Sequence, residues 1–346
     1  MTVTDRPVPS RGGPAGPAGS AAAASALAAL PALTWIPIGS MLALAVWAWV
    51  APETVAPVSW PIAVVGALLG VPHGAVDHLV PWWWSAQDAP RARRVAGFAL
   101  AYAAVAAVAL LALLRLPGLT IGVFLVLSAV HFGRGEVAAW AERRGEPVPR
   151  PLVDLLPGAA SGVAVVGLLL WADPATTDAP LRRLSAPLAD QVLAVRGAGL
   201  VLVAALVAAA VARLVSEGRR LDAAEVLLLA VTFAGAPPLA AFGVYFGLWH
   251  APRHTGRLLD LARDAQRAAG RPDSWTASTG RLARDGWLPT AVALAAVAVL
   301  WAMRDGTSLE AQVSILLALT FPHAAVVMAW DRRRSEAAVP SLRPTS

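Results

Sequence analysis

Apolar runs about as long as a membrane is thick recur throughout this chain of 346 residues. The hydrocarbon core of a bilayer is about 30 Å thick, so a crossing helix needs about 20 apolar residues. On that criterion the sequence predicts ten spans, which are 33–51, 56–73, 95–115, 118–133, 153–171, 191–213, 221–236, 238–256, 287–303 and 310–330. Because a helix satisfies its own backbone hydrogen bonds in lipid, the predicted fold class is an all-α polytopic transmembrane helix bundle.

The overall composition agrees with this fold class. Hydrophobic residues make up 57% of the chain and charged residues only 14%, whereas a soluble domain carries about 25% charged residues. Residues 1–32 are rich in Gly, Pro, Ala and Ser, and we predict that they form a disordered N-terminal tail. The transmembrane helical domain is predicted to cover residues 33–330, followed by a C-terminal tail at 331–346.

The arginines predict the orientation of the bundle in the membrane. The net charge of +6 would suit a nucleic-acid partner, but the arginines lie between apolar spans, where they set topology. With a cytoplasmic N-terminus, 23 arginines fall in the inside segments or the adjoining helix ends and four in the outside loops. Cytoplasmic loops of membrane proteins carry such an excess. We therefore predict a multi-pass protein of the cell membrane with both termini in the cytoplasm, surrounded by lipid and without a nucleic-acid partner.

The six histidines lie near the ends or in the later halves of predicted spans. Five belong to even-numbered spans, which run from outside to inside, and His78 follows just beyond the second span. The histidines therefore occupy the cytoplasmic half of the bundle at similar depth, so residues almost 200 positions apart can meet in one layer. Ionisable side chains in a membrane span are costly and usually face the bundle interior.

A metal site is the chemistry that this layer favours. His250 and His254 are four residues apart, so they share one helix face and can bind one ion. His73 and His131 come from two further helices, which makes a site of four imidazoles. The chain has no cysteine, so thiolate ligands are excluded, and neutral imidazole suits Fe, Zn, Cu or Ni.

Other polar and aromatic residues surround the predicted ligands. Asp77 and Glu136 lie beside the histidine motifs and are candidates to orient the imidazole N–H groups. His78 is the weakest ligand candidate, because it lies toward the arginine-rich loop. His323 is expected either behind the ligands or in a pocket wall. Aromatic residues flank the histidines and belong either to the bundle core or to an apolar substrate tunnel; they are Phe132, Tyr245, Phe246 and Trp249.

Four elements resemble, in order, the motifs of the Brp/Blh family of membrane β-carotene 15,15′-dioxygenases. They are Pro72-His73-Gly74-Ala75-Val76-Asp77, His131-Phe132-Gly133 with Glu136, Tyr245-Phe246 leading to His250 and His254, and Pro322-His323. The resemblance extends from about residue 56 to residue 330. It leaves the first span and both tails outside.

The resemblance implies a function. The family cleaves β-carotene at its central double bond with O2, giving two molecules of retinal, and it uses non-haem Fe(II) bound by histidines that match His73, His131, His250 and His254. The 33–330 domain would then be catalytic, with a carotenoid drawn from the bilayer as substrate and a rhodopsin as a user of the retinal. Another carotenoid or an apocarotenoid remains an alternative substrate.

Rival functions remain open on the residues alone. A histidine-lined metal transporter would need acidic residues deep in the spans, and the odd-numbered spans have almost none. A haem-b electron carrier has paired histidines at two depths, whereas one layer is predicted here. A membrane desaturase would show an HxxHH box, which this sequence lacks. A scaffold without activity is the fourth alternative.

Overall fold

The computed structural model describes residues 24–84, 92–150, 154–302 and 308–337, and this part of the chain contains helices and no strand. The helices are α1 (Ala26–Ala29), α2 (Ala32–Val50), α3 (Pro52–Val55), α4 (Ser59–Ala75), α5 (Val80–Trp84), α6 (Ala92–Arg115), α7 (Pro117–Arg143), α8 (Leu155–Trp171), α9 (Pro174–Ala194), α10 (Arg196–Ser216), α11 (Arg220–Gly235), α12 (Pro238–Val244), α13 (Ala251–Ala268), α14 (Trp275–Ala302) and α15 (Ser308–Ala337). Short 3₁₀ turns follow α3 and α4.

Prolines determine where several helices begin. Pro52, Pro117, Pro174 and Pro238 each occupy the first helical position, where the missing backbone N–H would have no intrahelical partner. The residue before a proline disfavours the helical conformation, so each proline also separates its helix from the one before. The prolines thus divide the apolar sequence into separate helices.

All ten predicted spans overlap helices in the described residues, but fewer than ten of these helices are long and apolar enough by themselves to cross a membrane. In the described part of the chain six helices qualify, and a seventh span is obtained if α8 and α9, which are bent by 88° at their junction, are counted as one broken span. The predicted span 221–236 corresponds to α11, which has only 16 residues. The span 238–256 falls on α12 and α13, and α13 carries many charged residues.

Glycines allow two pairs of central helices to approach one another closely. A Cβ atom at Gly133 of α7 would clash with the carbonyl oxygen of Gly158 on α8. A Cβ atom at Gly66 of α4 would clash in the same way with the carbonyl oxygen of Gly243 on α12. Helices that pack in a membrane use small residues at such crossings. These crossings hold α7 against α8 and α4 against α12.

The packed structure extends past both ends of the predicted helical domain. Helix α1 lies within the predicted N-terminal tail, yet Ala26 and Leu27 are buried and the Ala26 N–H donates to the Asp260 carboxylate at 2.8 Å. At the other end, α15 continues to Ala337. The tail predictions for residues 1–23 and 338–346 fall outside the described residues.

Candidate metal centre

Five of the six histidines meet in one buried cluster. They come from five segments, because His73 lies near the end of α4, His131 lies in the middle of α7, and α15 carries His323. His250 closes a six-residue π-helix between α12 and α13, and His254 follows on α13. Between 4% and 8% of each residue is exposed. Neighbouring rings lie 5.1–5.6 Å apart between centroids, apart from the nearly parallel His250–His254 pair at 6.2 Å.

The ring nitrogens of the cluster fit a metal ion. His73, His250 and His323 each place one ring nitrogen within 4.8 Å of the other two. The Nε2 atoms of His250, His254 and His323 are buried and have no hydrogen-bond partner in the described part of the chain. Buried polar atoms are normally paired, and neutral imidazole nitrogens are good ligands for Fe and Zn. This donor set therefore fits a metal ion.

The remaining ring nitrogens of two histidines are held by the protein. His323 Nδ1 lies 2.9 Å from the Asp77 carboxylate, which also accepts a hydrogen bond from the Tyr102 hydroxyl at 3.1 Å. His73 Nδ1 contacts the Gly70 carbonyl oxygen. A metal-ligating histidine typically donates its second ring N–H to a carboxylate or a carbonyl. Both rings consequently direct Nε2 away from these partners.

A π-helix places the two histidines of the α12–α13 segment. It covers Tyr245–His250 and ends two residues before Pro252. Pro252 has no N–H to donate to the Leu248 carbonyl, so the regular α-helical hydrogen-bond pattern is interrupted there. Such π-turns are frequent at functional sites. The His250 and His254 rings lie nearly parallel, with an angle of 19° between their planes.

Glu136 anchors the neighbouring face of this segment. Its Oε1 accepts a hydrogen bond from Trp249 Nε1 at 2.8 Å, and its Oε2 accepts one from Arg253 Nη1 at 2.6 Å. The Tyr245 hydroxyl is 3.4 Å from Oε1. Tyr245, Trp249 and Arg253 recur at four-residue intervals, so they form one stripe beside the stripe of the two histidines. Glu136 therefore orients the segment that carries two histidines, rather than an imidazole directly.

Ion pairs continue from this network toward the predicted cytoplasmic side. Arg253 Nη1 also donates to Glu225 Oε2 at 2.9 Å. One turn further along α13, Arg257 pairs with Glu142 at 3.1 Å and with Asp331. All of these side chains are buried. Each of these buried charges has an opposite partner, as burial in a low-dielectric interior requires.

The structure separates the histidines that the sequence singled out. The four predicted ligands and His323 belong to the cluster. His78 is half-buried in the 3₁₀ turn after α4 and makes none of the described ring contacts with the other histidines. The role of the clustered histidines as ligands stays a prediction.

The four aromatic residues predicted beside the histidines differ in what they contact. The rings of Phe132 and Phe246 lie 5.1 and 6.4 Å from the His250 ring between centroids. Tyr245 and Trp249 are fully buried and point to Glu136. The Tyr245 ring also lies 6.0 Å from the His250 ring, so Tyr245 and the two phenylalanines border the histidine cluster. Trp249 belongs to the Glu136 network beside it.

Three contributors were not predicted. Arg253 and Glu225 complete the Glu136 network, and Tyr102 supports Asp77. The sequence could have indicated Arg253, because it is a charged residue between two histidines. Glu225 is an acid inside an apolar run, which was also a signal. Tyr102 had none, since its segment carries no histidine motif.

Comparison with known proteins identifies relatives over most of the chain. The family model for beta-carotene 15,15'-dioxygenase matches residues 63–331. A probable beta-carotene 15,15'-dioxygenase Blh from Halobacterium salinarum is 30% identical over 313 residues, which cover 79% of this chain and 84% of that protein. A beta-carotene 15,15'-dioxygenase from an uncultured marine bacterium, 66A03, is 29% identical over 82 residues, 24% of this chain and 30% of that protein. No solved structure matches.

Proposed function

The chain belongs to the beta-carotene 15,15'-dioxygenase family, and we propose that it cleaves the central double bond of β-carotene with O2 to give two molecules of retinal. Each oxygen atom of O2 becomes the aldehyde oxygen of one retinal, so no other co-reactant is consumed. The observation that supports this proposal most is the buried five-histidine cluster, which lies entirely within the stretch that matches the family model.

The proposed cofactor is a non-haem Fe(II) held by His73, His131, His250 and His254. Their neutral imidazoles suit this ion, and His323 is a fifth candidate ligand because Asp77 orients its ring. When bound, the iron supplies the redox chemistry with O2 that no side chain can provide. Zinc or copper would satisfy the same nitrogens, so metal analysis is part of the test.

The first task of the protein in this proposal is to orient the metal-binding rings. Asp77 holds the His323 ring, and the Gly70 carbonyl holds the His73 ring. Glu136 holds the π-helix in register through its two hydrogen bonds. Rings that are fixed before the metal binds need little reorganisation when it does.

The second task is to keep water away from the reacting atoms. The aromatic rings of Phe132 and Phe246 lie next to His250 and present hydrocarbon instead of hydrogen-bonding groups. Exclusion of water protects a reactive centre from side reactions. No side chain is required as a nucleophile or as a general acid.

Expression in a carotene-accumulating bacterium tests the reaction. The cells should bleach and contain retinal, and the purified protein should contain iron without the absorption bands of haem. Single changes of His73, His131, His250 or His254 to Ala should remove iron and activity, while His78→Ala should keep both. Long apocarotenals in place of retinal would reject central cleavage. Unchanged carotene, with iron present and O2 supplied, would reject β-carotene as substrate.

We also propose the complete membrane arrangement, with ten spans and both termini in the cytoplasm of a multi-pass cell-membrane protein. The arginine distribution supports it. A C-terminal reporter that is active only outside the cytoplasm should remain silent, and a positive signal would reject this arrangement. The proposed partner that receives the retinal is a rhodopsin.

A further inference from the structure

A long apolar groove runs along the outside of the bundle between α7, α9 and α15. Its volume is about 880 Å³, near the upper end of the roughly 300–1,000 Å³ typical of small-molecule sites. Its α7 wall extends from Gly118 to Val130. Val126 in this wall is 67% exposed, so the groove is open toward the surface that would contact lipid. A ligand dissolved in the bilayer can enter such a groove without crossing water.

The groove is suited to a hydrocarbon. Among its described lining residues, Gln191 is the one with a polar side chain, and none is charged. A ligand with several polar groups would lose its hydrogen bonds to water there without replacement. Two glycines, Gly118 and Gly122, widen the groove, and a Cβ atom at Gly122 would meet nothing within 4 Å.

One stripe of α7 leads from the groove to the histidine cluster. Leu119, Val123 and Leu127 line the groove at four-residue spacing, and His131 continues the same stripe one turn later. Because four residues make slightly more than one helical turn, such a stripe winds slowly around its helix. Val123 is exposed, Leu127 is half-buried and His131 is buried, so the stripe turns from the lipid-facing surface into the bundle.

Helix α15 forms another wall of the groove. Met328 lines the groove, and His323 lies on the same helix, five residues before it. The His131 and His323 rings are themselves 5.1 Å apart between centroids. The α7 stripe therefore leads from the groove to His131 and, through it, to the His323 ring.

The length of the groove agrees with half of a carotenoid. From residue 118 to residue 130 the α7 wall has 12 steps, which is about 18 Å at roughly 1.5 Å per residue. A polyene that spans the ~30 Å apolar core has about 15 Å on each side of its central bond. With that bond at the histidine cluster, one half of the molecule would occupy the groove.

We propose that this groove binds one half of a polyene hydrocarbon of carotenoid length and thereby places its central double bond beside His131 and His323. The inference rests on the proposed function for the identity of the ligand. It adds to that function the site that selects the bond to be cleaved. A groove that holds one half of the polyene in a fixed position decides which double bond lies beside the histidines.

Gly122→Phe tests the proposal, because it fills the groove where the backbone leaves open space. Gly39→Phe on α2 is the matched control, since a Cβ atom there also meets nothing within 4 Å and Gly39 lies outside the groove. The first measurement is the amount of β-carotene that the iron-loaded protein retains after detergent washing without O2. The second is retinal formation once O2 is admitted. Helical content and iron occupancy are recorded for both variants.

We expect Gly122→Phe to reduce carotene retention and retinal formation at least tenfold, with normal helical content and iron, and Gly39→Phe to match the wild type. Wild-type carotene retention in Gly122→Phe would overturn the proposal and indicate that the groove holds only lipid chains. If the wild-type protein forms no retinal, the proposed function fails. The difference in carotene retention between the two variants then still decides whether the groove binds the polyene.

Discussion

Replacing Arg253 by Met should show how strongly the Glu136 network supports the centre. Arg253 is 4% exposed and lies between His250 and His254 in the sequence. Its guanidinium pairs with Glu136 and Glu225 and lies 3.9 Å from the centroid of the Trp249 ring. Met keeps most of the apolar volume and removes the positive charge.

The two acids would respond differently to this change. Glu225 retains its contacts with Arg143 and Trp140. Glu136 retains neutral donors, which are Trp249 Nε1 and the Tyr245 hydroxyl. Removing one partner of a buried ion pair costs about 3–5 kcal/mol, because the other charge remains buried without compensation. We therefore expect Arg253→Met to lower the free energy of unfolding by about that amount.

A double-mutant cycle separates the charge from the packing. Adding Glu136→Gln to Arg253→Met removes the uncompensated carboxylate, so the double variant should recover at least about 2 kcal/mol of the loss. The free energy of unfolding is measured by denaturant titration in detergent micelles, and iron content is measured on the same samples. Arg267→Met is the control, since the Arg267 side chain is 42% exposed and its loss should cost at most about 1 kcal/mol.

Two results would refute this reasoning. The first is an Arg253→Met protein as stable as the wild type, which would mean that Glu136 is not held as a buried charge. The second is a double variant no more stable than the single one, which would attribute the loss to packing. If stability falls while iron content stays unchanged, the Glu136 network supports the fold but not iron binding.

Four further predictions concern other residues. His323→Ala should lower iron content as strongly as loss of a predicted ligand, and Asp77→Asn should weaken iron binding about 10–100-fold, both measured by metal titration. Burial raises the pKa of Asp260 to about 7, so its contribution to stability is present below about pH 4 and is lost as the pH rises through about 7. Asp260→Asn should therefore stabilise the protein at about pH 8, by at most about 4 kcal/mol, in thermal or denaturant unfolding. Gly133→Leu should destabilise by at least about 2 kcal/mol, because its Cβ atom would clash with the Gly158 carbonyl oxygen.

Control variants accompany the metal-site and glycine predictions. His78→Ala should keep its iron, and full iron content in His323→Ala would place His323 in the pocket wall instead of at the metal. An Asp260→Asn protein whose stability falls with pH as the wild type does would assign that dependence to other groups. Gly122→Leu on the same helix as Gly133 should be tolerated because of its open surroundings, and wild-type stability of Gly133→Leu would contradict the close crossing.

The sequence by itself determined the helical class and the convergence of the histidines. Long apolar runs can satisfy their backbone only as helices, and the position of each histidine within its run predicted a common depth. Proline at the first position of four helices made several boundaries readable. The sequence does not determine the number of spans in the same way. Because α11 is short and α13 is amphipathic, length and hydropathy alone do not decide whether these two helices cross the membrane.

Tertiary structure decided which partners each side chain has. Asp77 faces His323 rather than another histidine, because α15 places His323 beside the end of α4. Glu136 holds Arg253, since the π-helix turns this face of the segment toward α7. Helical periodicity assigns a residue to a face of its own helix, but it does not say which neighbour covers that face. That choice depends on the glycine crossings and on the bends between helices, which are long-range contacts.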